Sequence, residues 1–181
     1  TMFMVVLAMI PALLFGIYNT GHWHYELQSY LNPEQFGAYS DYMTGFGDKL
    51  LYGVLQVLPI LIVSYGVGLA IEFIFGFMRG HGLHEGFLVS GMLIPLIMPA
   101  DVPLWMVGVA TAFAVVIGKE VFGGTGMNIV NVALTARAFL FFAYPTAMSG
   151  DKVWKSGTSD IIAQNGGTLP DGASGATALG D

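Results

Sequence analysis

The sequence contains no cysteine and little charge of either sign. Its 181 residues include 6 Lys and Arg together and 12 Asp and Glu, for a net charge of -6. Without cysteine the chain forms no disulfide and offers no thiolate to an iron–sulfur cluster, so any redox centre must be organic or come from a partner. The few basic residues are scattered along the chain. They form no basic surface of the kind that nucleic acids require, and we expect no nucleic-acid partner.

What the chain does have is long apolar sequence. Hydrophobic residues make up 55% and charged residues 10%, against roughly 25% charge in soluble domains. We predict spans near residues 2–18, 50–78, 87–98, 102–117 and 129–144. As a helix, the first is about 26 Å long, close to the roughly 30 Å hydrocarbon core of a bilayer, whereas 87–98 is a half-span of about 18 Å. The predicted fold is an all-α, polytopic transmembrane helical bundle with short and broken helices.

The polar segments divide the chain into two regions. Residues 1–145 form the transmembrane helical region, in which we expect 19–49 to be a connecting loop, and 146–181 form an aqueous loop rich in Gly, Ser and Asp. Because the chain opens inside an apolar run, we expect it to be a fragment. Arg79 and Lys119 predict a cytoplasmic location for the loop after the second span and for the glycine-rich break. Simple alternation of spans then places Thr177 outside.

A glycine-rich break interrupts the apolar sequence before the last span. Gly123, Gly124 and Gly126 lie in it, but the Lys-Ser/Thr of a nucleotide-binding P-loop is missing, so we expect the glycines to bend the chain. Asn128 and Asn131 follow three positions apart, and we predict that they share one face at the start of a helix. Their amides suit the polar edge of a flavin. The alternative for Asn128 is a helix cap.

Isolated ionisable residues mark further candidate sites. Glu72 is the acid deepest in an apolar run, where a carboxylate must be paired, protonated or bound to a cation. It is our candidate for an ion pathway, although it could also simply reach water or Arg79. Arg137 lies in the last span and should point into protein, a cavity or an anionic partner. His81 and His84, beside Glu85, lack the H-E-x-x-H order, and we expect no metal site.

The tail contains a run of small residues that ends in a hydroxyl. Ser174, Gly175 and Ala176 leave the Thr177 side chain without steric cover, so that a transferase could join its oxygen to a phosphate. The alternative is an ordinary flexible turn.

Several segments together resemble a known family. They are P-A-L-L-F-G-I-Y-N (11–19), G-F-L-V-S-G (86–91), P-L-W (103–105), K-E-V-F-G-G-T-G (119–126), R-A-F-L-F-F-A-Y-P (137–145) and S-G-A-T (174–177). In these segments the chain resembles the B subunit of the sodium-translocating NADH:quinone oxidoreductase, a bacterial respiratory complex. The likeness extends over nearly the whole chain. It departs from the family at Val132, where proline is usual, and at Leu69, where a second glycine is usual.

The resemblance implies a cofactor and an ion for most of these positions. It implies FMN joined to Thr177 by a phosphoester, with Ser174, Gly175 and Ala176 as the attachment motif. It further implies non-covalent riboflavin at Asn128 and Asn131, a quinone region near Gly68, and a sodium pathway through Glu72.

The function implied is that of a membrane subunit that relays electrons from a partner to ubiquinone, coupled to sodium export. Its expected partners are the other subunits of a six-subunit complex, a flavin transferase during maturation, and the lipid bilayer. We expect a multi-pass protein of the bacterial inner membrane, with the Thr177 loop in the periplasm. The implied architecture is half of an inverted repeat similar to that of urea transporters. Two alternatives remain: a D-type subunit of the Rnf electron-transfer complex, or a solute channel without redox function.

Overall fold

The regular structure of the described residues is entirely helical. The computed structural model describes residues 2–31, 45–79, 86–124, 127–148 and 156. Its α-helices are α1 (Met2–Leu31), α2 (Phe46–Arg79), α3 (Gly86–Ile97), α4 (Leu104–Val115), α5 (Val132–Ala143) and α6 (Pro145–Met148), and a π-helical turn, Val116–Glu120, continues α4. The all-α prediction is therefore confirmed.

The first two helices have the length and composition of membrane spans. Met2–Glu26 and Phe46–Met78 are apolar over 25 and 33 residues, and Gly86–Ile97 and Val132–Ala143 are shorter apolar helices. Large hydrophobic side chains also cover the outside of the bundle. Phe15, Phe77 and Phe142 are 70%, 84% and 85% exposed. A helix that is apolar on its outward face is suited to a lipid environment.

The predicted connecting loop at 19–49 is wrong at both of its ends. Helix α1 continues to Leu31, and α2 begins at Phe46. The polar residues after Tyr18 do not stop α1, because Gly21 lies against the backbone of α2 and this crossing holds the helix together. His22 and Glu26 also form an ion pair at 3.4 Å, one turn apart on the helix.

Glycines bring α1 and α2 into backbone contact. A Cβ atom at Gly21 would collide with the carbonyl oxygen of Lys49, and one at Gly53 with that of Ile17. Because residues 17–21 of α1 face residues 49–53 of α2 in reverse order, the two helices are antiparallel. Small residues at such crossings are typical of helix packing in membranes.

The helices α2, α3 and α4 run between the two ends of the bundle, and α2 makes a polar contact at each end. At one end the Gln56 amide donates to the Ala100 carbonyl oxygen at 3.1 Å, in the turn between α3 and α4. At the other, Glu72 meets Lys119 of the π-helical turn. Between them the Ser64 hydroxyl of α2 donates to the Gly91 carbonyl oxygen of α3 at 3.1 Å. We call these the Gln56 end and the Glu72 end.

Candidate functional site

A buried pair of opposite charges lies at the Glu72 end. Glu72, on α2, is 5% exposed, and Lys119, on the π-helical turn, is 4% exposed. The Lys119 ammonium donates to Oε1 of Glu72. Of the alternatives expected for Glu72, the structure provides the paired state. Its partner is Lys119, which in the sequence had served only to predict the side of the membrane on which the glycine-rich break lies.

The π-helical turn determines where Lys119 points. The backbone N–H of Val121 donates to the carbonyl oxygen of Val116 at 2.9 Å, a bond that spans five residues in place of the usual four. Such wide turns occur mostly as single insertions in α-helices, and frequently at functional sites. Here all three residues Gly118, Lys119 and Glu120 are buried. Two charged side chains are thus held inside the bundle by one turn.

Phe87 and Gly68 close one side of this pair. The Lys119 nitrogen lies 5.8 Å from the centre of the Phe87 ring, within the range of a cation–π contact. Phe87 is fully buried, and a Cβ atom at Gly68 would overlap its ring. The fold therefore brings Gly68 and Glu72, two residues singled out from the sequence, to one cluster with Phe87 and Lys119.

The charges of this cluster do not cancel. Glu120 is 7% exposed and its carboxylate interacts electrostatically with Lys119. With all three groups ionised, two carboxylates and one ammonium carry one net negative charge. In addition, Oε2 of Glu72 is buried without a hydrogen-bond partner among the described residues. We call Glu72, Lys119 and Glu120 the charge cluster.

The two asparagines have separate positions in the structure. Asn131 is the N-cap of α5, where its side-chain oxygen accepts from the N–H groups of Ala133 and Leu134 at 2.9 and 3.2 Å. Asn128 lies before the helix, is exposed, and donates to the Val130 carbonyl oxygen at 3.4 Å. The prediction of one shared helical face is wrong, because the cap is Asn131 and the helix starts after it. Val132 takes the first helical position, where proline is also favoured.

The glycine-rich break does bend the backbone. Gly123 and Gly124 have φ angles of 115° and 97°, which side chains with a Cβ atom rarely adopt. Gly126 lies outside the described residues. The bending role expected for the first two glycines is confirmed.

Arg137 points into the protein, as predicted. Its guanidinium donates to the carbonyl oxygen of Ile97, the last residue of α3. Carbonyl groups at a helix C-terminus lack intrahelical partners and carry partial negative charge, so a cation is stabilised there. The residue has a structural partner within the bundle.

A second polar cluster, at the Gln56 end, was not predicted. The Asp101 carboxylate accepts from the Ser156 hydroxyl at 2.9 Å and from the Gln56 amide at 3.3 Å. The Tyr52 hydroxyl lies 3.1 Å from that of Ser156. Ser156 is 1% exposed, so these bonds tie one residue of the polar tail to α2 and to the turn before α4. The only advance signal was a single Asp between prolines 99 and 103.

The remaining predicted positions lie outside the described residues. These are the tail motif Ser174, Gly175, Ala176 and Thr177, and the loop residues His81, His84 and Glu85. Their roles stay predictions.

Comparison with known proteins gives a consistent result over the whole chain. The family model described as NQR2, RnfD, RnfE matches residues 1–181. Proteins from Neisseria meningitidis serogroup B and Stutzerimonas stutzeri are 40% and 42% identical over 98% of this chain, which covers 43% and 44% of their own lengths. One from Yersinia pestis is 40% identical, with 98% and 44% covered. All three are named as the B subunit of a Na(+)-translocating NADH-quinone reductase. The chain thus spans less than half the length of these relatives.

Proposed function

The chain belongs to the NQR2, RnfD, RnfE family, and we propose that it is part of the B subunit of a sodium-translocating NADH:quinone oxidoreductase. In this proposal the protein lies in the bacterial inner membrane, with the Thr177 loop in the periplasm, and works with the other subunits of a six-subunit complex. It passes electrons toward ubiquinone while sodium is exported. The observation that carries the proposal is the identity of about 40% over 98% of the chain to relatives named for this reaction.

The charge cluster supports an ion-handling role. A membrane protein without ion traffic gains little from a buried carboxylate, because taking charges out of water costs several kcal/mol per ion. Glu72 is buried within an apolar helix and keeps one oxygen without a hydrogen-bond partner among the described residues. Sodium prefers oxygen ligands, and a carboxylate with a spare oxygen offers one. We therefore retain Glu72 as a residue of the sodium pathway.

The flavin assignments rest on the family and on the chemistry of two segments. Thr177 ends a run of small residues, and a phosphoester there would attach FMN covalently with the help of a flavin transferase. When bound, a flavin supplies reversible electron transfer. A tether of this kind keeps it near its redox partners at high effective concentration.

The second flavin assignment is riboflavin against Asn128 and Asn131. Both asparagines are exposed in the break before α5, so the residues fit the polar edge of a flavin ring. Asn131 already uses its side-chain oxygen to cap α5, which leaves Asn128 as the side chain with more freedom to bind. The quinone region near Gly68 is supported by the cluster around it. Since Gly68 packs on Phe87, a quinone would bind beside this contact and not in it.

Fluorescence of the denatured protein tests the covalent flavin. The complete complex is produced in its native host, and its B subunit is separated on a denaturing gel under ultraviolet light. We expect a bright wild-type band and a dark band for Thr177→Ala. Thr168→Ala is the matched control and should stay bright, because it removes a threonine hydroxyl of the same tail that lies outside the S-G-A-T motif. A dark wild-type band would contradict the proposal and favour a channel without redox function.

Quinone reduction separates the proposal from the nearest alternative. The family model also covers RnfD, and a D-type subunit of the Rnf complex would share the flavin but reduce no quinone. We expect the assembled complex to reduce ubiquinone with NADH in a sodium-dependent manner. Bright bands without quinone reduction would assign the chain to the Rnf type.

A further inference from the structure

The charge cluster contains two residues that no assignment yet uses. Lys119 and Glu120 are neighbours on the π-helical turn, and both are buried with Glu72. With the sodium pathway assigned to Glu72 alone, a buried ammonium that contacts it would oppose the entry of any cation. The role of this lysine therefore has to be explained together with the role of the carboxylate.

We propose that Lys119 and Glu120 form, with Glu72, a site for one monovalent cation, in which the Lys119 ammonium contacts Glu72 at rest and is displaced from it when the ion binds. This inference rests on the proposed function, since it names the residues that complete the Glu72 site. The ion would join the Glu72 carboxylate, and the Lys119 ammonium would remain protonated beside Glu120.

The charge of the cluster supports a monovalent ion. With all three groups ionised, the two carboxylates and one ammonium carry one net negative charge, so one added positive charge makes the buried cluster neutral. Burial of an uncompensated charge in a low-dielectric region is costly. A divalent ion would leave the buried site with one net positive charge, which is costly for the same reason.

The geometry supports displacement of the lysine. Oε1 of Glu72 accepts from Lys119, and Oε2 is buried without a hydrogen-bond partner among the residues that the structure describes. An entering ion can therefore contact Oε2 before the lysine leaves Oε1. The ammonium also keeps favourable contacts on leaving, because Glu120 interacts with it electrostatically and the Phe87 ring lies 5.8 Å from its nitrogen.

The test measures sodium affinity in the purified complete complex by equilibrium binding of radioactive sodium. Choline chloride holds the ionic strength constant, so that screening does not change between points and no second small monovalent cation competes for the site. The half-saturating sodium concentration for quinone reduction is measured beside it. The variants are Lys119→Gln, Glu120→Gln and, as the charge-preserving control, Lys119→Arg.

The two neutralising variants should act in opposite directions. Lys119→Gln removes the competing cation, and we expect the half-saturating sodium concentration to fall about tenfold or more, because a unit charge a few ångströms away changes ion affinity strongly at a protein's effective permittivity. Glu120→Gln removes a negative charge and should raise it about tenfold or more. Lys119→Arg keeps the charge and should stay within about twofold of the wild type.

The outcomes separate this inference from the proposed function. If both variants leave sodium affinity unchanged, or shift it in the same direction, while the wild-type complex binds sodium and reduces quinone, then the inference is wrong and the proposed function stands. If the wild type neither binds sodium nor responds to it, the proposed function itself fails. Should Lys119→Gln not assemble, Glu120→Gln still decides, since an unchanged half-saturating concentration in that variant overturns the three-residue site.

Discussion

Removal of the Lys119 ammonium should destabilise the protein more than removal of the Glu72 carboxylate. Lys119→Met removes the ammonium that donates to the Glu72 carboxylate and interacts electrostatically with the Glu120 carboxylate. Both carboxylates then stay buried without that cation. Breaking a buried pair by removing one partner costs about 3–5 kcal/mol. Glu72→Gln, in contrast, leaves Lys119 with Glu120 and makes the cluster neutral, so we expect a loss of roughly 1–2 kcal/mol from the weakened hydrogen bond.

The double variant makes this prediction specific. Glu72→Gln with Lys119→Met returns the cluster to one net negative charge, as in the wild type. We expect it to recover about 2 kcal/mol or more of the loss in Lys119→Met, since the two residues are in direct contact and their effects are not additive. The pair of His22 and Glu26 provides the control, because these side chains are 43% and 38% exposed. Glu26→Gln should therefore cost less than about 1 kcal/mol.

Thermal unfolding of the purified complex, followed by intrinsic fluorescence, measures these differences. A larger loss of stability lowers Tm further, so Lys119→Met should give the largest fall in Tm of the three variants. We expect the fall in Tm to be largest for Lys119→Met and smaller for the double variant. The fall for Glu72→Gln should be equal to that of the double variant or smaller. Strictly additive effects of the two single changes would refute the reasoning, because they would show that Lys119 does not serve Glu72.

Two further substitutions test the contact of Gly68 with Phe87 and the cap of α5. Gly68→Ala should lower stability by about 1–3 kcal/mol because its Cβ atom meets the Phe87 ring; adding Phe87→Leu should return part of the loss in the same thermal assay, and no recovery would show that the ring is not the obstacle. Asn131→Ala should cost about 0.5–2 kcal/mol through loss of the α5 cap. Asn131→Asp, which keeps the accepting oxygen, should cost clearly less, and equal losses would argue against capping.

The sequence was sufficient for four of the helices and for the charged residues that stand out within apolar sequence. Apolar stretches predicted α2 to α5 to within a few residues, since length and composition alone decide them. Glu72 and Arg137 were noticeable because each is a charge in apolar sequence. The apolar character of the outward-facing side chains could be predicted without knowing which residues they contact, because lipid accepts any apolar group.

Long-range partners could not be read from the sequence. Glu72 and Lys119 are 47 positions apart, and their contact depends on a π-helical turn for which the sequence gives no simple signal. The extension of α1 depends on its crossing with α2 at Gly21 and Gly53, so local polarity misled the prediction. The choice of Asn131 over Asn128 as the cap likewise depends on where the backbone leaves the glycine-rich bend.

The length of α2 has a mechanical consequence. Its apolar stretch, Phe46–Met78, has 33 residues, and at about 1.5 Å per residue it is roughly 50 Å long, well beyond the roughly 30 Å hydrocarbon thickness of an average membrane. Gln56 and Glu72 lie within this stretch, but both are bonded inside the bundle and need neither water nor headgroups. A helix of this length is accommodated by tilt or by local thickening of the bilayer. Lipid chain length should therefore set the tilt of α2, which thin membranes increase and thick ones reduce.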